Sequence, residues 1–103
     1  MTQIVTKTGN TTGVLTDAEK YLRFTTAGAQ TFTVPPNASV AYPIGTTIAG
    51  RKIGTGDLTL VAGAGVTLTK SAMQTLVCAQ FATFMLTKIA TNEWDLIGAM
   101  SPV

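Results

Sequence analysis

Apolar and polar residues alternate along most of this chain. Leu22 and Phe24 fall on one side of a run whose other side carries Tyr21, Arg23 and Thr25, and Phe32 and Val34 resume the pattern after the break at Ala27-Gly28-Ala29. A period of two buries one face of a β-strand and leaves the other wet. The short glycine-containing break makes a hairpin between these runs the economical pairing. Residues 46–53 read as a longer strand with Gly50 at a bulge or crossing point. Residues 58–61 and 66–69 are further strands separated by Ala62-Gly63-Ala64-Gly65, and residues 94–97 close the series before Gly98.

The segment Val34-Pro35-Pro36-Asn37-Ala38-Ser39-Val40-Ala41-Tyr42-Pro43-Ile44-Gly45 holds three of the four prolines. Proline donates no ladder hydrogen bond and pushes the preceding residue toward extended conformations, so a strand must end here. A second short strand is expected before Pro43, with Asn37 and Gly45 in left-handed turns. Residues 71–89 fit two periods. Met73, Leu76, Val77, Gln80, Phe81, Phe84 and Met85 match a helix; as a strand, Phe81, Thr83, Met85, Thr87 and Ile89 line one face and Ala82, Phe84 and Leu86 the other. The β neighbours favour the strand, whose two apolar faces then call for core on one side and a partner on the other.

Helical signals are confined to Thr16-Asp17-Ala18-Glu19, where Thr-x-x-Glu spacing predicts a capping box and a single turn. Residues 2–8 alternate weakly around Ile4 and Val5. Two readings stand for them: a frayed terminus, or an edge strand that pairs with a neighbouring subunit. The tail from Ala99 to Val103 is expected to be loose. No repeat of 20 to 50 residues is evident, which argues against a solenoid. The fold class expected is all-β: an antiparallel β-sandwich, jelly-roll-like, with at most one short helical turn. Residues 1–13 form an arm ahead of a single domain spanning 14–103.

Composition adds a partner to this picture. Charged residues make up 12% of the chain, about half the average for soluble domains. The mean hydropathy is +0.34. Twenty threonines supply part of the wet surface, and an oligomer interface is expected to cover the rest. Ile4 and Val5 in the arm, with Phe81, Phe84 and Met85 in the doubly apolar strand, are the candidate interface residues. A net charge of +2 with one adjacent basic pair, Arg51-Lys52, gives no footprint for nucleic acid. The uncharged stretches 24–50 and 71–87 are interrupted by prolines or polar residues and predict no membrane span. The N-terminal residues lack the pattern of a signal peptide.

Candidate chemistry is sparse. The chain has no histidine, which removes the usual general base, triad member and metal ligand. Glu93 and Asp95 would share one strand face about 7 Å apart, within reach of a glycosidase pair, but strand neighbours beside a turn flank no cleft. Gly54-Thr55-Gly56 and Gly63-Ala64-Gly65 lack the lysine and helix of a phosphate loop and read as turns. Cys78 lies in an apolar run as a buried free thiol. Asn10-Thr11-Thr12 and Asn37-Ala38-Ser39 read as turns rather than glycan acceptors. No catalytic residue, cofactor or metal is expected. Trp94 with Tyr21 or Tyr42 could stack on a sugar ring, or Trp94 could anchor the core.

Four stretches carry a family resemblance: Leu15-Thr16-Asp17-Ala18-Glu19-Lys20-Tyr21-Leu22-Arg23-Phe24; Thr33 through the proline corner to Thr46; Gly63-Ala64-Gly65-Val66-Thr67-Leu68; and Lys88-Ile89-Ala90-Thr91-Asn92-Glu93-Trp94-Asp95-Leu96-Ile97-Gly98. Together, over residues 14–98, they resemble a β module of tailed-bacteriophage virion proteins, found at the ends of tail fibres and tailspikes and in small head-decoration proteins. The apolar run Ser71 to Cys78 departs from the Gly-rich, polar segment often found there. The resemblance implies a homotrimer, and the module's share of the chain implies a head-decoration (cement) protein. Its partners would be itself and the major capsid protein, on the capsid surface of a virion made in the host cytoplasm. The alternative is a tail-fibre tip in which Tyr21, Tyr42 and Trp94 meet host polysaccharide.

Overall fold

The computed structural model describes residues 2–103, and among these nearly all regular structure is β. The strands are β1 (Ile4–Lys7), β2 (Thr11–Thr12), β3 (Tyr21–Phe24), β4 (Gln30–Val34), β5 (Thr47–Lys52), β6 (Leu58–Ala62), β7 (Thr67–Thr69), β8 (Val77–Cys78), β9 (Thr83–Ala90) and β10 (Glu93–Gly98). They form a six-stranded sheet in the order β1-β3-β5-β9-β10-β7 and a four-stranded sheet in the order β2-β4-β6-β8. The first eight strands alternate between the sheets, and β9 and β10 then form an antiparallel hairpin inserted between β5 and β7.

This topology overturns the hairpin expected between β3 and β4. Those strands lie in different sheets, where β3 pairs parallel with β1 and β5, and β4 pairs parallel with β2 and β6. Five of the eight strand pairs among the described residues are parallel, so the sheets are mixed rather than antiparallel. The breaks at residues 25–29 and 53–57 are corners that carry the chain across to the other sheet. The first six strands therefore make three stacked turns of a coil, contrary to the expected absence of a solenoid. Tyr21 pairs with Ala49 and Gln30 with Leu58, so the second and third turns are related by an offset of 28 residues.

Alternation sets which side chains enter the layer between the sheets. Leu22, Phe24, Ile48, Phe84, Leu86, Trp94 and Leu96 come from the larger sheet, and Phe32, Val34, Leu58, Leu60 and Cys78 from the smaller. Phe24 packs edge-on against Phe32 at 5.4 Å between centroids and tilts against Phe84 at 6.0 Å, and Tyr42 meets Trp94 at 5.4 Å and 85°. Gly50 forms no bulge. A Cβ there would lie 2.8 Å from the Leu22 carbonyl oxygen and from the Phe84 ring, so glycine lets the ring lie against β5.

Several local expectations are corrected. The helical turn is present as a 3-10 turn at Leu15–Asp17, but its box is closed by Asp17, whose carboxylate accepts from Val14 N–H at 3.0 Å. Glu19 turns away to Thr47. Gly45 adopts the left-handed conformation (φ 95) and Asn37 does not; among the described residues Glu19 (φ 61) and Phe81 (φ 68) are the non-glycine residues that do. No strand forms between Asn37 and Pro43. Residues 71–89 contain β8 and most of β9 and no helix. The tail is tied down: Ser101 N–H donates to Val77 O, Thr75 N–H to Ser101 O and Val103 N–H to Met73 O. The arm residues carry the edge strands β1 and β2, both paired within the chain.

Candidate functional site

Most groups that could perform chemistry are engaged in holding corners together. Lys52 is fully buried, and its Nζ donates to Thr26 O (2.6 Å), Gly28 O (3.0 Å) and Gln30 Oε1 (2.9 Å). Gln30 Nε2 in turn donates to Lys7 O and Gly9 O, so one network ties the corners of all three coil turns. Burial lowers the Lys52 pKa and the negative charge of Asp57 opposes that shift. Lys88 is buried on the other side of the core and donates to Asn37 Oδ1 (2.7 Å) and Tyr42 O (2.8 Å). Lys7 pairs with buried Asp17 at 2.9 Å. Sequence reasoning missed these three lysines, because a cation at an inward position of an alternating strand breaks the pattern that defines the core. Their in-phase positions, Lys52 after Ile48 and Gly50 and Lys88 after Phe84 and Leu86, were the available signal.

The other candidates are likewise accounted for. The Cys78 thiol is buried and points at Ala82 O; burial raises its pKa, with a backbone hydrogen bond from Lys52 opposing. Asn10 Oδ1 accepts from Thr31 N–H and Asn37 Oδ1 from Lys88, so both sequon side chains serve structural bonds. Glu93 and Asp95 lie on an open strand face with Glu93 near Thr69. Among the described residues no cavity opens and no three metal-ligating side chains come together.

The predicted contact residues are divided by burial. Trp94 and Tyr42 are 1% and 3% exposed and belong to the core, so neither can stack on a sugar. Phe84 is also core, at 2%. Val5 is half-buried against the core. Phe81 is exposed in the turn before β9. Ile4, Tyr21 and Met85 lie together on the outer face of the larger sheet.

That face is the feature that is not spoken for within the chain. The register aligns Ile4, Tyr21, Ala49, Met85 and Ile97 in one row across five strands. Ile4 and Ile97 are 67% and 57% exposed. Two residues along the strands on one side, Thr6, Arg23, Arg51 and Thr83 form a parallel row. On the other side Thr47, Thr87, Asp95 and Thr69 align, and Glu19 joins them through its 2.6 Å bond to Thr47 Oγ1. The result is an apolar stripe one residue wide between a basic and an acidic flank. Compared with known proteins, the chain matches no family model, no curated protein and no solved structure.

Proposed function

We propose that this chain is a non-enzymatic structural subunit of a tailed-phage virion, a homotrimeric head-decoration protein that binds the major capsid protein and stabilises the shell. The observation that carries the reading is the outer face of the six-stranded sheet. It presents an apolar row, exposed at Ile4 and Ile97 and half-buried at Tyr21, Ala49 and Met85, in a chain that has few charges to keep such a surface wet. The buried lysines, the thiol and the asparagines are committed to internal bonds, which suits a protein whose work is to hold shape and bind. The family resemblance supplies the phage setting and the trimer. A glycan-binding fibre tip has less support, since only Tyr21 of the three aromatic candidates reaches the surface.

The test is immuno-gold electron microscopy of virions, together with heat and low-salt challenge of particles lacking the protein. Label distributed over the head, and shells that rupture earlier without the protein, are expected. Label confined to tails, or unchanged shell stability, would refute the proposal.

A further inference from the structure

We infer that three copies of this chain close around a threefold axis through the outer face of the larger sheet, the basic flank of each subunit meeting the acidic flank of the next. The inference rests on the reading of the protein as a homotrimer and specifies the surface through which it closes and the pairs that join neighbouring subunits. Arg23 and Arg51 stand side by side in register, both exposed. Like charges directly opposite each other destabilise a sheet. Among the described residues the one ion pair is Lys7–Asp17, so no carboxylate of the same chain relieves the two arginines. Glu19 and Asp95 are exposed on the opposite flank, Glu19 held by Thr47 alone.

The positions are matched. Arg23 and Glu19 lie at the level of β3 on opposite sides of the apolar row. Rotation about an axis parallel to that row therefore brings Arg23 of one subunit to Glu19 of the partner subunit. Arg51, one strand away, lies over Thr47 of the partner subunit and within reach of the same carboxylate. Facing sheets stand about 10 Å apart, so each lies about 5 Å from the middle; a triangular prism with faces about 5 Å from its axis has sides of about 17 Å. Four residues of β5, from Thr47, which Glu19 bonds, to Arg51, span about 13 Å, and the side chains extend the face by a few ångströms at each edge. The prism closes at that width.

A stripe one residue wide also selects three over two. In a face-to-face dimer the threonines and charges of both flanks would be pressed into the interface, whereas around a threefold axis only the stripe reaches the centre and the flanks form a polar rim. A face of about 24 by 17 Å offers roughly 400 Å² per subunit, a modest area compared with stable interfaces. One reversed charge is then enough to weaken the trimer measurably.

The experiment is sedimentation equilibrium of the full chain, with folding of each variant checked by circular dichroism. Wild type is expected at three times the 10.7 kDa chain mass. Arg23→Glu weakens association at least about ten-fold, Met85→Asp abolishes it, and adding Glu19→Arg to Arg23→Glu with Arg51→Glu restores the trimer that the paired arginine reversal loses. A monomeric or dimeric wild type, a trimer unaffected by folded Arg23→Glu and Met85→Asp, or a triple variant no better than Arg23→Glu with Arg51→Glu would overturn the inference. Binding of the same proteins to phage shells separates this from the functional proposal. Trimers that survive both face substitutions yet bind shells defeat only the inference; trimers that split as expected but never bind shells defeat only the proposal.

Discussion

Replacing Lys52 by methionine tests whether the buried lysine network stabilises the coil or merely burdens it. The substitution keeps the length of the side chain and removes the ammonium, leaving Thr26 O, Gly28 O and Gln30 Oε1 without their donor. The two carbonyls lie near the corner's surface, where water can replace part of the loss, at about 1 kcal/mol each; the Gln30 oxygen is enclosed, at up to about 3 kcal/mol. Methionine also relieves the cost of holding a cation out of water, the same cost that lowers the Lys52 pKa. The net expectation is a loss of about 2 to 4 kcal/mol, roughly 30- to 1,000-fold in the folding equilibrium. Urea unfolding followed by the fluorescence of buried Trp94 measures it. Amide exchange at Gly28, whose N–H donates to Thr55 O across the stacked corners, should accelerate with it. An unchanged or raised urea midpoint would show that the desolvated cation outweighs its three bonds, and the stapling argument would fail.

Two further outcomes are expected. Gly50→Ala places a methyl group 2.8 Å from a backbone oxygen and the Phe84 ring, and should cost about 1 to 3 kcal/mol in the same unfolding assay; a loss below about 0.5 kcal/mol would mean that the Phe84 ring moves aside freely. Tyr42 donates to Val14 O at 2.7 Å, and burial, followed by the charge of Asp17, raises its pKa well above the ordinary 10. Because the folded state holds this proton more tightly than the unfolded chain, its contribution is fully present below about pH 10 and is lost as pH rises above that. In a Cys78→Ala background, which removes the thiol whose burial likewise holds its proton, Tyr42→Phe should flatten the decline of the urea midpoint between pH 10 and 11.5, and an equally steep decline in the variant would contradict it.

The strands were legible and their partners were not. Alternation at Leu22 and Phe24, Phe32 and Val34, and Leu58 and Leu60 marks the inward faces that the structure buries, because a period of two is a local consequence of the pleat. Pairing is not local. A short glycine-containing break serves a hairpin and a corner between sheets equally well, so residues 25–29 gave no sign that the chain crosses over. The coil did leave a faint trace. At an offset of 28, Arg23 falls on Arg51, Gly28 on Gly56 and Thr31 on Thr59, and both glycines take left-handed conformations, at φ 92 and 87. The first turn is shorter, with Ile4 stacked on Tyr21, so the offset changes and no repeat of constant period stands out.

The charge deficit, visible in composition, is resolved only by the two outer faces. On the smaller sheet, Thr12, Thr33 and Val61 align in one row and Thr31, Thr59 and Val77 in another. Four hydroxyls hydrate that face without any charge, which explains part of the deficit by threonine alone. The larger sheet has threonines too, but only on its flanks, and its centre is the row from Ile4 to Ile97. Threonine-rich composition thus describes one face as finished and the other as half covered. Since the row forms only when five strands distant in sequence are set in register, its residues read singly as ordinary exposed apolar positions. Ile4 and Met85 could be singled out from sequence as candidate contact residues, whereas Ala49 and Ile97 join the row only through their neighbours across the sheet.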